Sequence, residues 1–123
     1  MARLGRPAHP DPAPDPAVQT VPHRLVTIVA ERTLRDRLVD AVHRLGATGH
    51  TLTDVTGEGS RHGGAGGWVG PNVKIEAVVR PDVADRIAAH VADRYFAHHS
   101  VIVTLQDVEV LRGSKYAPHN DQA

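Results

Sequence analysis

Val73-Lys74-Ile75-Glu76-Ala77-Val78-Val79, bracketed by Pro71 and Pro81, decides how the rest of the chain is read. Val73, Ile75, Ala77 and Val79 alternate with Lys74 and Glu76, the period-two pattern of a strand with one buried and one wet face. Such a strand belongs in an antiparallel sheet. Downstream, Pro81 stands at the first-turn position that a helix tolerates. Val83, Ile87, Val91 and Tyr95 then recur at helical spacing, with the small Ala84, Ala88 and Ala92 beside them for close packing. Ser100 to Leu105 reads as an apolar strand, and Val108 to Leu111 as a short final one.

Upstream lies Gly57 to Gly70, which holds seven of the chain's 11 glycines and its single tryptophan, Trp68. Glycine is costly to order and permissive in φ, so the stretch is expected to be a long excursion, mobile when empty and shaped by what binds. Backbone N–H groups in such a loop can converge on an anion. Arg61 adds a planar cationic fork suited to phosphate or carboxylate. Trp68 is either a docking anchor for a partner or an aromatic folded onto its own protein. Before the loop, Thr51 to Thr56 reads as a strand rich in Thr and Val. Gly46 ends a helix in the left-handed conformation, and the apolar stripe of that helix is Leu34, Leu38, Val42 and Leu45. Thr33 is the expected N-cap, with Asp36 at capping-box spacing. Arg24 to Ala30 is a buried strand bounded upstream by Pro22. The order is β-α-β-β-α-β with an added edge strand, an α+β chain with the ferredoxin-like split βαβ arrangement.

Composition narrows the function. The first 22 residues carry six of the nine prolines and almost no large apolar side chain, so residues 1–22 are expected to be a disordered tail. Residues 23–113 form the folded domain and 114–123 a flexible C-terminal tail. Zero net charge argues against a general nucleic-acid binder. The absence of cysteine excludes disulfides and thiol chemistry. No signal-peptide-like or membrane-spanning apolar run occurs, so a cytoplasmic location is expected. Position 62 is His where a Gly-x-Gly-x-x-Gly motif needs glycine, and no Gly-Lys-Ser/Thr follows, so neither nucleotide-loop template fits. Ser60 beside His62 has no third orienting group, and no dedicated catalysis is expected.

Gly49-His50-Thr51-Leu52-Thr53-Asp54-Val55-Thr56-Gly57-Glu58-Gly59, followed by Val73 to Val79, resembles the second strand, T-loop base and third strand of the PII signalling superfamily. Gly57 to Arg61 and Arg94 to Ile102 look most like the PII-like branch associated with carboxysomes and bicarbonate transporters. The resemblance spans roughly Arg24 to Lys115. It implies a ferredoxin-like homotrimer that binds adenine nucleotides between subunits and is coupled to inorganic carbon supply. Carried over by position, it places Thr51, Glu76 and Val78 around the adenine and ribose. Gly57 and Gly59 fall at the turn that meets the phosphates, within a nucleotide-binding set that includes Glu58 and Ser60. Arg61 falls where a side chain folds back over the ligand, and Arg112 and Lys115 where phosphates are reached across a subunit boundary.

The chain also departs from the nitrogen-type members. Phe96-Ala97-His98-His99-Ser100 lacks the glycine and lysine of their phosphate loop, and the only tyrosines are Tyr95 and Tyr116. AMP, ADP or cyclic AMP is therefore expected in preference to ATP with 2-oxoglutarate, and the resemblance to the carbon-linked branch implies bicarbonate as a second ligand. Two alternatives stand beside this one: a nitrogen-type regulator, and a metal-responsive trimer of the same fold drawing on some of the nine histidines. No spacing among the histidines forces three or four to converge on a metal, and His43, His50 and His90 read as surface or partly buried side chains. His62, beside Arg61, is expected to tune anion affinity near neutral pH.

Overall fold

The computed structural model describes residues 19–61 and 64–111, and within 58–69 it describes backbone alone. β1 runs Val21–Glu31, α1 Arg35–Arg44, β2 Thr51–Arg61, β3 Gly64–Val79, α2 Pro81–Tyr95 and β4 Ile102–Val110. The four strands form one antiparallel sheet in the order β2-β3-β1-β4, with β1 paired to β3 on one side and β4 on the other. This is the ferredoxin-like α+β arrangement that the periodicities predict.

Alternation sorts the side chains between two faces. Val26, Ile28 and Ala30 of β1 and Val73, Ile75, Ala77 and Val79 of β3 are buried. They pack with Leu34, Leu38 and Val42 at the first helix and Val83, Ala84, Ile87, Val91 and Tyr95 of α2. Each fully buried Ile or Leu contributes about 2 kcal/mol of transfer free energy, so this helix-covered face is where the fold gets its cohesion. The opposite face carries the other parity, including Leu25, Thr27 and Val29 opposite Val78, Glu76 and Lys74. Ala88 is half-buried and Ala92 exposed, so close packing along α2 rests on Ala84 alone among the three alanines.

Several local expectations need correction. Thr33 does not cap α1. Its hydroxyl donates to the Glu31 carboxylate at 3.4 Å, residues 32–34 form a tight 3₁₀ turn, and the N-cap position falls to Leu34 with no side-chain cap. Val108–Val110 is not a separate strand but the end of β4, because the register with β1 runs unbroken from Ile102 to Val110. β1 begins at Val21, so the folded unit includes Val21 and Pro22, which pair with Val110 and Glu109. Pro22 is tolerated because pairing with β3 starts only at Arg24, leaving one side of β1 without a ladder there. The glycine-rich stretch is also not a loop throughout. β2 and β3 continue into it as a hairpin, with Gly57 opposite Gly70, Gly59 opposite Trp68 and a register shift between Gly59 and Arg61. Residues 1–18 and 112–123, which contain most of the expected tails, lie outside the described residues.

Gly46 fulfils its reading. Its φ of +129° is one of two positive values among the described residues. The Gly46 N–H donates to the His43 carbonyl at 3.1 Å and the Ala47 N–H to the Val42 carbonyl at 3.1 Å, the paired bonds of a Schellman turn. A Cβ at Gly46 would lie 2.9 Å from Cγ2 of Val83, so this turn requires glycine for both conformation and space.

Candidate functional site

The Schellman turn aims the chain from α1 back toward β2, and the segment it delivers forms one wall of a cleft. Thr48, Gly49, His50 and Thr51 face Leu25 of β1 and Glu76, Ala77 and Val78 of β3 across a volume of ≈ 470 Å³. Strand register builds the other wall. Glu76 stands opposite Thr51 on one side and Thr27 on the other, while Val78 stands opposite Leu25. The site thus combines an apolar floor of Leu25 and Val78, a hydroxyl at Thr51 and a carboxylate at Glu76. This is the composition of a pocket that stacks or cradles a flat ring and accepts from its polar edge.

Three of the expected binding residues, Thr51, Glu76 and Val78, therefore meet in one cleft. Gly57 lies six residues further along β2, at the base of the hairpin opposite Gly70. Glu58, Gly59, Ser60, Arg61 and Trp68 have strand backbone, but their side chains lie outside the description. His62, Arg112 and Lys115 lie outside the described residues altogether.

Sequence reasoning missed His50 as a lining residue. Its Nδ1 lies 2.8 Å from Nε2 of His43, and Nδ1 of His43 lies 3.1 Å from the Ala47 carbonyl. The two rings meet edge to face with centroids 4.9 Å apart. The signal was present as a histidine between the turn glycine Gly49 and the strand residue Thr51, but its pairing depends on the path of the turn. Thr48, Gly49, Leu25 and Ala77 were likewise not singled out.

Ionic contacts brace the surroundings. Arg24 of β1 bridges Asp85 of α2 at 3.4 Å and Asp107 of β4 at 3.3 Å, and Arg32 reaches Asp54 of β2 at 3.3 Å. Arg86 of α2 donates to the Leu45 carbonyl at 3.3 Å, tying the Schellman turn to the second helix. At the far end of α2, His90 is held below its ordinary value of 6.5, first by burial and then by the charges of Arg94 and Arg44. Among the described residues, no three His, Asp or Glu side chains gather as a metal site requires, and no helix is long and apolar enough to cross a membrane.

Comparison with known proteins agrees with this architecture. Residues 23–115 match the family model described as nitrogen regulatory protein P-II. A PII-like signalling protein from Thermus thermophilus is 44% identical, with a TM-score of 0.69 over 80% of this chain and 99% of that one. The CPII protein of Thiomonas intermedia, in a structure bound to ADP and bicarbonate, superposes with a TM-score of 0.71 at 23% identity, covering 81% of this chain and 99% of its own. The GlnK–ATP complex of B. subtilis is more distant, with a TM-score of 0.52 at 21% identity over 71% of this chain and 82% of that one. A family match over three-quarters of the sequence, on a fold derived independently from its periodicities, leads to one conclusion: the chain belongs to the P-II family of nitrogen regulatory proteins.

Proposed function

We propose that the protein is a non-enzymatic, PII-like sensor that binds ADP or AMP, or cyclic AMP, in the Thr48–Thr51 cleft, with bicarbonate as a second ligand. The observation that carries this reading is the convergence of Thr51, Glu76 and Val78 in a single ≈ 470 Å³ cleft where β2 begins, six residues before the hairpin base at Gly57. Glu76 accepts from the exocyclic amino group of the base, and Leu25 and Val78 contact its face. Gly57, Glu58, Gly59, Ser60 and Arg61 supply backbone and charge to the phosphates, joined by Arg112 and Lys115 from the C-terminal segment. The Thiomonas protein bound to ADP and bicarbonate makes the same ligand pair the first to test.

In this reading the hairpin is the output. Occupancy of the cleft and of the Gly57–Arg61 stretch selects one shape from an ensemble, and Trp68 presents that shape to a component of inorganic carbon uptake, such as a bicarbonate transporter. The sheet face away from the helices, with Leu25, Val29 and Val78, supports a homotrimer in which neighbouring subunits close the cleft. A cytoplasmic location accords with this role.

Titration calorimetry against AMP, ADP, ATP and cyclic AMP, each with and without bicarbonate, tests the proposal. Micromolar binding of ADP or AMP, tightened by bicarbonate, is the expected result. Tight ATP binding strengthened by 2-oxoglutarate would instead make this a nitrogen-type regulator. Light scattering that gives a monomer mass would remove the trimer.

A further inference from the structure

The histidine pair at the cleft has a proton inventory fixed by its partners. A carbonyl oxygen can only accept, so Nδ1 of His43, 3.1 Å from the Ala47 carbonyl, carries a proton and donates it. The 2.8 Å contact between Nε2 of His43 and Nδ1 of His50 needs one proton between two nitrogens. That leaves Nε2 of His50 as the one variable site. In the neutral pair it is a bare acceptor. When the pair gains one proton, Nε2 of His50 becomes a donor, whichever ring the shared proton sits nearer. A second added proton would put hydrogen on both facing nitrogens and break the contact, so the intact pair takes up one proton only.

His50 lines the same cleft as Glu76 and Thr51. We propose that His50 is a ligand-contacting residue whose Nε2, protonated as a unit with His43, donates to an acceptor atom of the anionic ligand. Binding then draws one proton into the pair. His43 acts as the positioning residue. It sits in the last turn of α1, where the helix dipole favours a cation, and it anchors His50 to the Schellman turn.

Among the described residues lining the cleft, Glu76 is the one carboxylate. On α1, Arg44 and Asp40 engage each other at 3.2 Å. On α2, Arg86 is occupied by Asp82 and the Leu45 carbonyl. On β2, Asp54 is paired with Arg32. On β3, Glu76 shares the cleft with His50 and is the counter-charge available to the imidazolium.

The inference rests on the cleft being the nucleotide site, and its test separates the two. Calorimetry of the full chain with ADP is run at pH 6 and pH 8, in two buffers of different ionisation enthalpy, for wild type, His50→Gln and His43→Ala. A single linked proton changes Kd by at most about tenfold per pH unit. A phosphate group itself titrates near pH 6, to about one unit, so the ratio of Kd at pH 8 to Kd at pH 6 is compared between proteins. Wild type is expected to show proton uptake and a ratio about fivefold or more above that of His50→Gln, with His43→Ala in between. Equal ratios, or a wild-type affinity that rises with pH relative to the variant, overturn the proposal while leaving the nucleotide site standing. Absence of ADP binding at both pH values overturns both. Proton NMR of the free protein adds a ligand-independent arm. The rings of His43 and His50 should report one shared titration that each replacement alters in the remaining ring, and independent titrations would refute the pair.

Discussion

The two helix-to-strand turns of this molecule occupy equivalent places in its two βαβ halves, yet they use their side chains differently. After α1, the backbone makes the turn. Gly46 at a φ of +129° closes a Schellman motif, Arg86 grips the Leu45 carbonyl, and the chain leaves exposed through Thr48–His50 to line a cleft. After α2, backbone bonds are joined by a core side chain. Tyr95, 8% exposed, fills the end of the core with His90 and His99 against its ring, and its carbonyl accepts from the N–H groups of His98 and His99. Phe96 is left 48% exposed. Both turns are closed by backbone bonds, but the first leaves its side chains lining a cleft, whereas the second commits one aromatic to the core.

That contrast can be broken most forcefully at the second turn. Tyr95→Ala should cost about 3 kcal/mol of stability, read by urea denaturation, and leave ADP affinity unchanged in the folded fraction. Gly46→Ala should cost about 2 kcal/mol, because an alanine there is strained and its Cβ meets Val83. Unlike the tyrosine variant, it should also weaken ADP, since the turn positions the cleft wall. If both variants spare affinity equally, the two turns do not differ in function. Glu76→Ala should weaken ADP about tenfold without lowering stability, consistent with one lost hydrogen bond to a carboxylate.

His90 sharpens the stability side by pH. Its folded value is depressed, so the unfolded chain takes up the proton first, and stability present above pH 6.5 is lost as pH falls through the lowered folded value. His90→Gln should flatten that acid limb in thermal melts at a series of pH values. The smallest effect belongs to Arg86→Ala. It loses an exposed ion pair with Asp82 and a bond to Leu45, and should cost about 0.5 kcal/mol.

What could be read in advance follows the physics of each element. Val73 to Val79, the Leu34-Leu38-Val42 stripe and the Val83-Ile87-Val91-Tyr95 stripe declare themselves because burial on one face imposes a period. Gly46 declares itself because few residues reach positive φ. Thr33 misled because its hydroxyl had a rival partner in Glu31, two residues back and equally local. Gln106 and Asp107 interrupt the apolar run and hide the length of β4 in the sequence, but an edge strand keeps its register through backbone bonds to one neighbour regardless of exposed polar side chains. In the cleft, Thr51, Glu76 and Val78 were found by resemblance to a known pattern. His50 needed the path of a turn that no single-residue preference encodes.

Strand order also has a consequence in time. Among the described strands β1 comes earliest in the chain, yet its partners are β3 and then β4, and Val21 waits for Val110. During synthesis, β1 has no strand to pair with until α1, β2 and then β3 have been made, and its other edge stays open until β4 follows. Pairings this distant in sequence slow folding. A chain halted before Ile102 would therefore retain a central strand with one bare edge, the form most prone to pair with another copy of itself.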